Sequence, residues 1–308
     1  MSSRTGRAVG VALVVALAAC SSTPGGSETS SPAASTASTD GVGQPSQSSS
    51  TGGPGTTSTF TSGFIGYIDL ATGETSMTEI LPHNSAIDVS SDGVRIAYTA
   101  DGRVVIADLD GSNVQVLEET WGDPTGPQWS PDGSNIVYQD GAGLYVVDVD
   151  SGQVHRITDL ELGTANLSYV SPTFDPTGTN VMFNLPTVVE DQERYDLWSV
   201  PVTGGERTLV RRKATFGDYS PDGTRIAFVE DGGFGDLFVA PAAGGKAQKL
   251  ATGEIVVPRW SPDGTRIAYN DGSGGVYVVD VATGEPTLVV ETDHLPAWVD
   301  DDTLSLSP

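Results

Sequence analysis

From residue 64 onward the chain alternates apolar and polar positions at period two, in short runs closed by glycine turns. The clearest runs are Ile96-Ala97-Tyr98, Ile136-Val137-Tyr138, Val181-Met182-Phe183, Ile226-Ala227-Phe228 and Ile267-Ala268-Tyr269. β-Branched and aromatic residues at this spacing suit a pleated, buried sheet. A turn phrase precedes each run: Val89 to Gly93, Trp129 to Gly133, Phe174 to Gly178, Tyr219 to Gly223 and Trp260 to Gly264, with glycines 40, 45, 45 and 41 residues apart. In its fullest form the phrase is aromatic-Ser-Pro-Asp-Gly. Proline sets φ for the first corner of a type I turn, aspartate bonds its own backbone, and glycine takes the left-handed position that closes the hairpin. A third strand follows in each unit, as in Leu144 to Asp148 or Val276 to Asp280, then a glycine turn and a fourth strand such as Thr287 to Val290. Four strands in a period of 40 to 45 residues predict the blade of a β-propeller.

The two ends of this region complete each other. Phe64 to Asp69 and Met77 to Leu81 match third and fourth strands with no first and second ahead of them, whereas Leu295 to Trp298 and Leu304 to Leu306 match first and second strands with nothing after. The expected fold is all-β: a six-bladed propeller of five full blades and one composite blade, closed by the N- and C-terminal strands so that no sheet edge is left open.

The phrase Trp129-Ser130-Pro131-Asp132-Gly133 followed by Ile136-Val137-Tyr138, with its relatives at Tyr219 to Phe228 and Trp260 to Tyr269, resembles the repeat of the TolB-type six-bladed propeller family. The resemblance covers residues 64 to 308. It thins at Val89 and Ser91, where the aromatic and the proline are missing, and at Val299 to Asp302, where no glycine closes the turn. It implies the propeller fold. TolB itself carries an α/β domain ahead of its propeller, and no stretch before residue 64 has that pattern, so TolB's envelope role does not transfer with the fold.

The segments ahead of the propeller are read separately. Arg4 and Arg7 precede an apolar run from Ala8 to Ala19, the layout of a secretory signal and too short for a mature bilayer span. Leu17-Ala18-Ala19-Cys20 resembles a bacterial lipobox, which makes residues 1–19 a lipoprotein signal peptide and Cys20 the lipidated residue. Cys20 is the single cysteine of the 308 residues, so no intrachain disulfide is available. In residues 21–63, Ser, Thr, Gly and Pro occupy 34 of 43 positions, a composition that cannot bury enough surface to offset its conformational entropy. Residues 20–63 are therefore expected to be a disordered tether. It would hold residues 64–308 off the extracytoplasmic face of a membrane in the cell envelope.

Charge narrows the partners. The net charge of −25 falls entirely on the propeller, with 38 acidic against 13 basic residues there. Nucleic acid and anionic lipid both need a basic patch, so neither is expected as a ligand.

Candidate chemistry is sparse. Asp108 to Asn113 resembles the start of an EF-hand loop, but proline occupies the aligned positions of the third and fourth units, so these acids read as turn residues. Asp132, Asp222 and Asp263 read the same way. No Gly-x-Ser-x-Gly elbow is present and no cofactor is expected. His83 and His294 fall in fourth-to-first-strand connections beside the composite blade and Asp293 adjoins the second, an alternative for a metal or acid–base site. The phrase aromatics Trp129, Phe174, Tyr219, Trp260 and Trp298 read as packing between sheets. Their neighbours Asp88, Gln128, Thr173, Asp218, Arg259 and Ala297 point the other way and are expected to line a central channel.

The one-to-two and three-to-four turns share a face and are short and regular. The opposite face carries the irregular connections, including Glu118 to Thr125, Leu185 to Tyr195 and Arg211 to Gly217, and binding residues concentrate on variable loops over a rigid frame. That face is expected to bind through Trp121, Phe216 and Phe234, with Arg211, Arg212 and Lys213 as the basic cluster on an acidic body. The functional expectation is a monomeric, non-enzymatic module for a protein or cell-wall ligand. The alternative is a propeller lyase or hydrolase acting on glycans or peptides at the channel mouth.

Overall fold

The computed structural model describes residues 50–51, 64–80, 87–117, 124–141, 143–160, 170–189, 192–230 and 234–307. The signal peptide, Cys20, most of the tether, His83 and Trp121 lie outside the described residues. Every regular element described is a β-strand, and every described pairing is antiparallel.

Three sheets have four strands each, in sequence order. The first comprises Asp88–Val89, Arg95–Ala100, Arg103–Asp108 and Gln115–Val116; the second Thr125–Trp129, Asn135–Asp140, Gly143–Asp148 and Val154–Asp159; the third Thr173–Phe174, Asn180–Val189, Gln192–Pro201 and Thr208–Arg211. A fourth sheet has seven strands, from Ala214–Tyr219 to Pro286–Glu291. Its middle strand, Gln248–Trp260, runs 13 residues; Gly235 to Val239 pair along its first part, and Asn270 to Ile267 along its last. The fifth sheet joins the chain ends: Leu295–Trp298, Thr303–Ser307, Phe64–Asp69 and Glu74–Glu79, with Gly66 opposite Leu306 and Asp69 opposite Thr303. Ser50–Thr51, inside the expected tether, adds a short outer strand against Glu74 and Thr75. Each sheet's first strand approaches the next one's, and Leu295–Trp298 approaches Asp88–Val89, so the circuit of first strands closes. This is an all-β propeller.

The turn phrase explains why the first two strands of each unit form where they do. Ser220 Oγ donates to Asp222 Oδ1 at 2.6 Å and accepts from the Arg225 N–H at 2.9 Å, while Gly223 N–H donates to the Ser220 carbonyl at 2.8 Å with φ +69°. The same three bonds recur around Ser90, Ser130 and Ser261. In the third sheet Asp175 stands in place of the serine, and its own carboxylate takes the Asn180 N–H at 3.1 Å and the Asn180 amide at 2.9 Å. These serines are thus committed to the turn, as are the aspartates. The Ser220 hydroxyl, ahead of the Thr224 N–H, holds the Asp222 carboxyl down at about 2. The Asp108–Asn113 turn closes likewise on its own acids, with Ser112 N–H on Asp110 and the Asn113 amide on Asp108.

Packing follows from the period. On one side of the second strand Ile96 and Tyr98 pack with Ile65 and Ala297 of the fifth sheet; on the other Ala97 packs with Trp129, Ile136 and Tyr138 of the second. Large side chains on one face and a small one on the other let neighbouring sheets nest, and each fully buried apolar side chain contributes about 1.5–3 kcal/mol. The phrase tryptophans sit in these seams, as expected, and each is covered by a cation from the preceding unit: Arg95 over Trp129 at 4.5 Å, Arg225 over Trp260 at 4.6 Å and Arg266 over Trp298 at 5.3 Å.

Candidate functional site

A cavity of about 390 Å³ opens on the axis, on the face of the Ser-Pro-Asp-Gly turns. All six of Asp88, Gln128, Thr173, Asp218, Arg259 and Ala297, expected from strand alternation to face the channel, line it. Its rim is made of turn residues, among them Pro131, Pro176, Pro221 and Pro262.

What aims three of these side chains, Gln128, Asp218 and Arg259, is a bulge in the first strand. Pairing slips between Thr125 and Gln128, between Thr215 and Asp218, and between Val256 and Arg259. At the equivalent position in each slip the backbone is left-handed: Gly126 at φ +58°, Phe216 at +50° and Val257 at +46°. Glycine accepts that conformation freely; phenylalanine and a β-branched valine do not. Bulges re-aim side chains, and backbone strain of this kind is held only where the surroundings over-determine it. Here it stands two residues ahead of the two charged channel residues contributed by the seven-stranded sheet.

Asp88 Oδ2 accepts the Trp129 N–H at 2.7 Å, and Asp218 Oδ2 accepts the Trp260 N–H at 2.8 Å, so each carboxylate also clasps the next unit's first strand. Thr173 Oγ1 donates to Asp218 Oδ1 at 3.3 Å. Burial pushes the Asp88 carboxyl up to about 6 against the pull of the Trp129 N–H and Arg259, and burial likewise raises Asp218 against the pull of Arg259. Arg259 forms no ion pair with either carboxylate among the described residues, and its Nη1 is closed from solvent without a hydrogen-bond partner.

The opposite face differs from expectation at several residues. Phe216 is 5% exposed and packs with Val229, Leu237 and Trp260; the bulge turns it inward, so it cannot anchor a partner. Leu185 to Tyr195 is no irregular connection over most of its length, because the strands Asn180–Val189 and Gln192–Pro201 pair down to Val189 opposite Gln192. Arg211 is half-buried, its guanidinium 4.2 Å from the Phe228 ring centre. Arg212, 63% exposed, lies 3.6 Å from the buried Asp196, which also takes the Lys213 N–H at 2.8 Å and faces Arg194 at 3.7 Å. Lys213 is exposed and Phe234 is 38% exposed. At the composite sheet Asp293 is exposed, and the ring of His294 sits 2.6 Å through Nδ1 from Thr292 Oγ1, its pKa lowered by burial. No group of three His, Cys, Asp or Glu side chains suited to a metal occurs among the described residues.

Strand alternation named the channel residues; the bulges carried one sequence signal, Gly126, because Phe216 and Val257 are ordinary strand residues by composition.

The propeller has relatives. A curated protein of Bacillus subtilis (strain 168), named an uncharacterized peptidase YuxL, is 33% identical over 187 residues, which cover 44% of this chain and 28% of that protein. The chain thus spans little more than a quarter of that relative's length. Among solved structures, a putative TolB from Agrobacterium tumefaciens superposes with a TM-score of 0.65 at 15% identity, covering 80% of this chain and 98% of that one. TolB from Acinetobacter baumannii gives 0.58 at 18% identity, with 77% and 67% covered. An oligogalacturonate lyase from Vibrio parahaemolyticus gives 0.52 at 15%, with 81% and 98% covered. At these identities the likeness is one of fold. The family model of the TolB β-propeller domain matches residues 101–301, about two thirds of the chain, and with the repeated turn phrase and the closed circuit of sheets this places the chain in the TolB β-propeller family.

Proposed function

We propose that this protein is a monomeric, six-bladed binding module, lipid-anchored through Cys20 on the extracytoplasmic side of a bacterial membrane, whose ligand site is the channel mouth on the Ser-Pro-Asp-Gly face. The count of six takes the seven-stranded sheet as two blades sharing Gln248–Trp260. One observation carries the site: Asp88, Asp218 and Arg259 converge on a cavity of about 390 Å³ without pairing directly among themselves, two of them held there by strained bulges. Strained backbone and convergent charge in one concavity are the marks of a binding site. The ligand is a protein or a cell-wall component, and no cofactor is needed.

The test is capture from envelope extract by the full chain, with Gln128→Trp to fill the cavity and a paired Arg212→Ala, Phe234→Ala variant on the other face. Capture lost only with Gln128→Trp supports the channel; capture lost only with the loop pair moves the site to the irregular face. Anchoring is tested by metabolic labelling with a fatty-acid analogue, where equal label in wild type and Cys20→Ser would overturn it.

A second reading, a lyase or hydrolase acting on glycans or peptides in the channel, has one feature in its favour: a carboxyl at about 6 is poised for acid–base work. Turnover of oligogalacturonate or a peptide pool that disappears in Asp88→Asn would replace the binding reading.

A further inference from the structure

The charges of the channel have a definite arrangement. Asp88 comes from the first sheet, Asp218 from the edge strand Ala214–Tyr219 of the seven-stranded sheet and Arg259 from its middle strand Gln248–Trp260, so one cation and two anions face a shared cavity. Each carboxylate has one oxygen held by the N–H of the next unit, Trp129 or Trp260. The guanidinium forms no ion pair with either of them among the described residues, and its Nη1 has no hydrogen-bond partner. A neutral or singly charged ligand would leave part of this set unanswered, and unpaired charge in a concave site opposes binding. An anion alone would face two carboxylates. A cation alone would face Arg259.

We propose that the cavity binds a zwitterion of the amino-acid or short-peptide class, its carboxylate on Arg259 and its ammonium between Asp88 and Asp218. The inference rests on the channel reading above and names the chemical class of ligand for that site. An arginine–carboxylate contact can be bidentate, and an ammonium offers three donors to two carboxylates, so both ends are charge-assisted. Arg259 is the cation among the cavity's lining residues and the anchor for a free carboxylate, while Asp88, Asp218 and the acidic body around them favour the ammonium.

The experiment is calorimetric titration of the full chain at neutral pH with alanyl-alanine, its N-acetylated form, its C-terminal amide, and calcium chloride as a metal probe. The expected result is saturable binding of the dipeptide, weakened about tenfold or more by acetylation, by amidation and by Arg259→Gln. The series on the wild-type chain stands even where the variant fails to fold. Equal affinity for the blocked dipeptides overturns the zwitterion. So does calcium binding without dipeptide binding. In either case, loss of the signal in Gln128→Trp keeps the channel as the site. No binding by any probe, together with envelope capture unaffected by Gln128→Trp, removes both the inference and the channel reading.

Discussion

The two faces of the propeller solve the placement of charge differently. On the turn face, a serine, an aspartate and a glycine are repeated almost unchanged from sheet to sheet, and the variation is confined to one inward position per first strand, where Asp, Gln, Thr, Asp, Arg and Ala meet across the axis. On the opposite face the sequence varies freely, yet one buried acid, Asp196, which is 1% exposed, faces Arg194 and Arg212 and takes the Lys213 N–H, while Arg211 lies over the Phe228 ring. Irregular sequence there produces local ion pairing. Regular sequence on the turn face produces a cavity whose charges stay unpaired. Variability within a repeat is thus the guide to the proposed channel site, and variability between repeats is not.

The strongest way to break the comparison is to open the ring on which the turn face depends. Deleting residues 295–308 removes the strands opposite Phe64–Asp69 and uncovers Ile68, now 5% exposed. The cooperative melt should be lost and the protein should aggregate on size exclusion. Next, Asp196→Ala should cost about 3 kcal/mol in denaturant unfolding, because it leaves Arg194 partly buried without its carboxylate and frees the Lys213 N–H. Binding at the channel should be retained, which is what separates the two faces. On the turn face, Ser220→Ala removes one donor to Asp222 and one acceptor for the Arg225 N–H, a loss of about 1–2 kcal/mol by the same measurement.

A pH series sharpens the picture of the axis. Because the folded Asp88 carboxyl is raised from 3.8 to about 6, its contribution to stability is fully present below about pH 4 and is lost as pH rises through about 6. Asp88→Asn, whose amide oxygen can still accept the Trp129 N–H, should flatten that part of the stability curve. Unchanged slopes between pH 4 and 6 would refute the assignment. The smallest effect is expected at Val257. Val257→Gly relieves a left-handed backbone at φ +46° while giving up a half-buried side chain, so the net change should stay within about 1 kcal/mol. Val257→Ala keeps the strain, loses the packing, and should be the less stable of the two.

Much of this was legible along the chain because it is local. The Ser-Pro-Asp-Gly turns close on their own five residues, and the Ile-Ala-Tyr alternation dictates which side chains enter which seam. Alternation also placed Asp88, Gln128, Thr173, Asp218, Arg259 and Ala297 toward the axis, since a residue beside a core aromatic must face the other way. The sequence pattern puts Phe216 in an irregular connection, Arg211 to Gly217, because the bulge interrupts the alternation there; the structure has it inside the strand Ala214–Tyr219, and nothing in a phenylalanine announces a left-handed residue in advance.

The sequence by itself therefore determined the repeat, the turns, the seams between sheets and the joining of the two ends, each a matter of neighbours within a strand or its hairpin. The tertiary structure decided what stands where those neighbours cannot reach. It brought Asp88 within the field of Asp218 and Arg259 across the axis, extended Gln248–Trp260 into one strand serving two sets of partners, and strained Phe216 and Val257 so that the residues beyond them face the cavity. The physical reason is range. Turn and strand preferences act over a few residues, whereas the electrostatics of the channel arise from side chains 41 to 171 positions apart in the chain, which share a cavity only after the ring has closed.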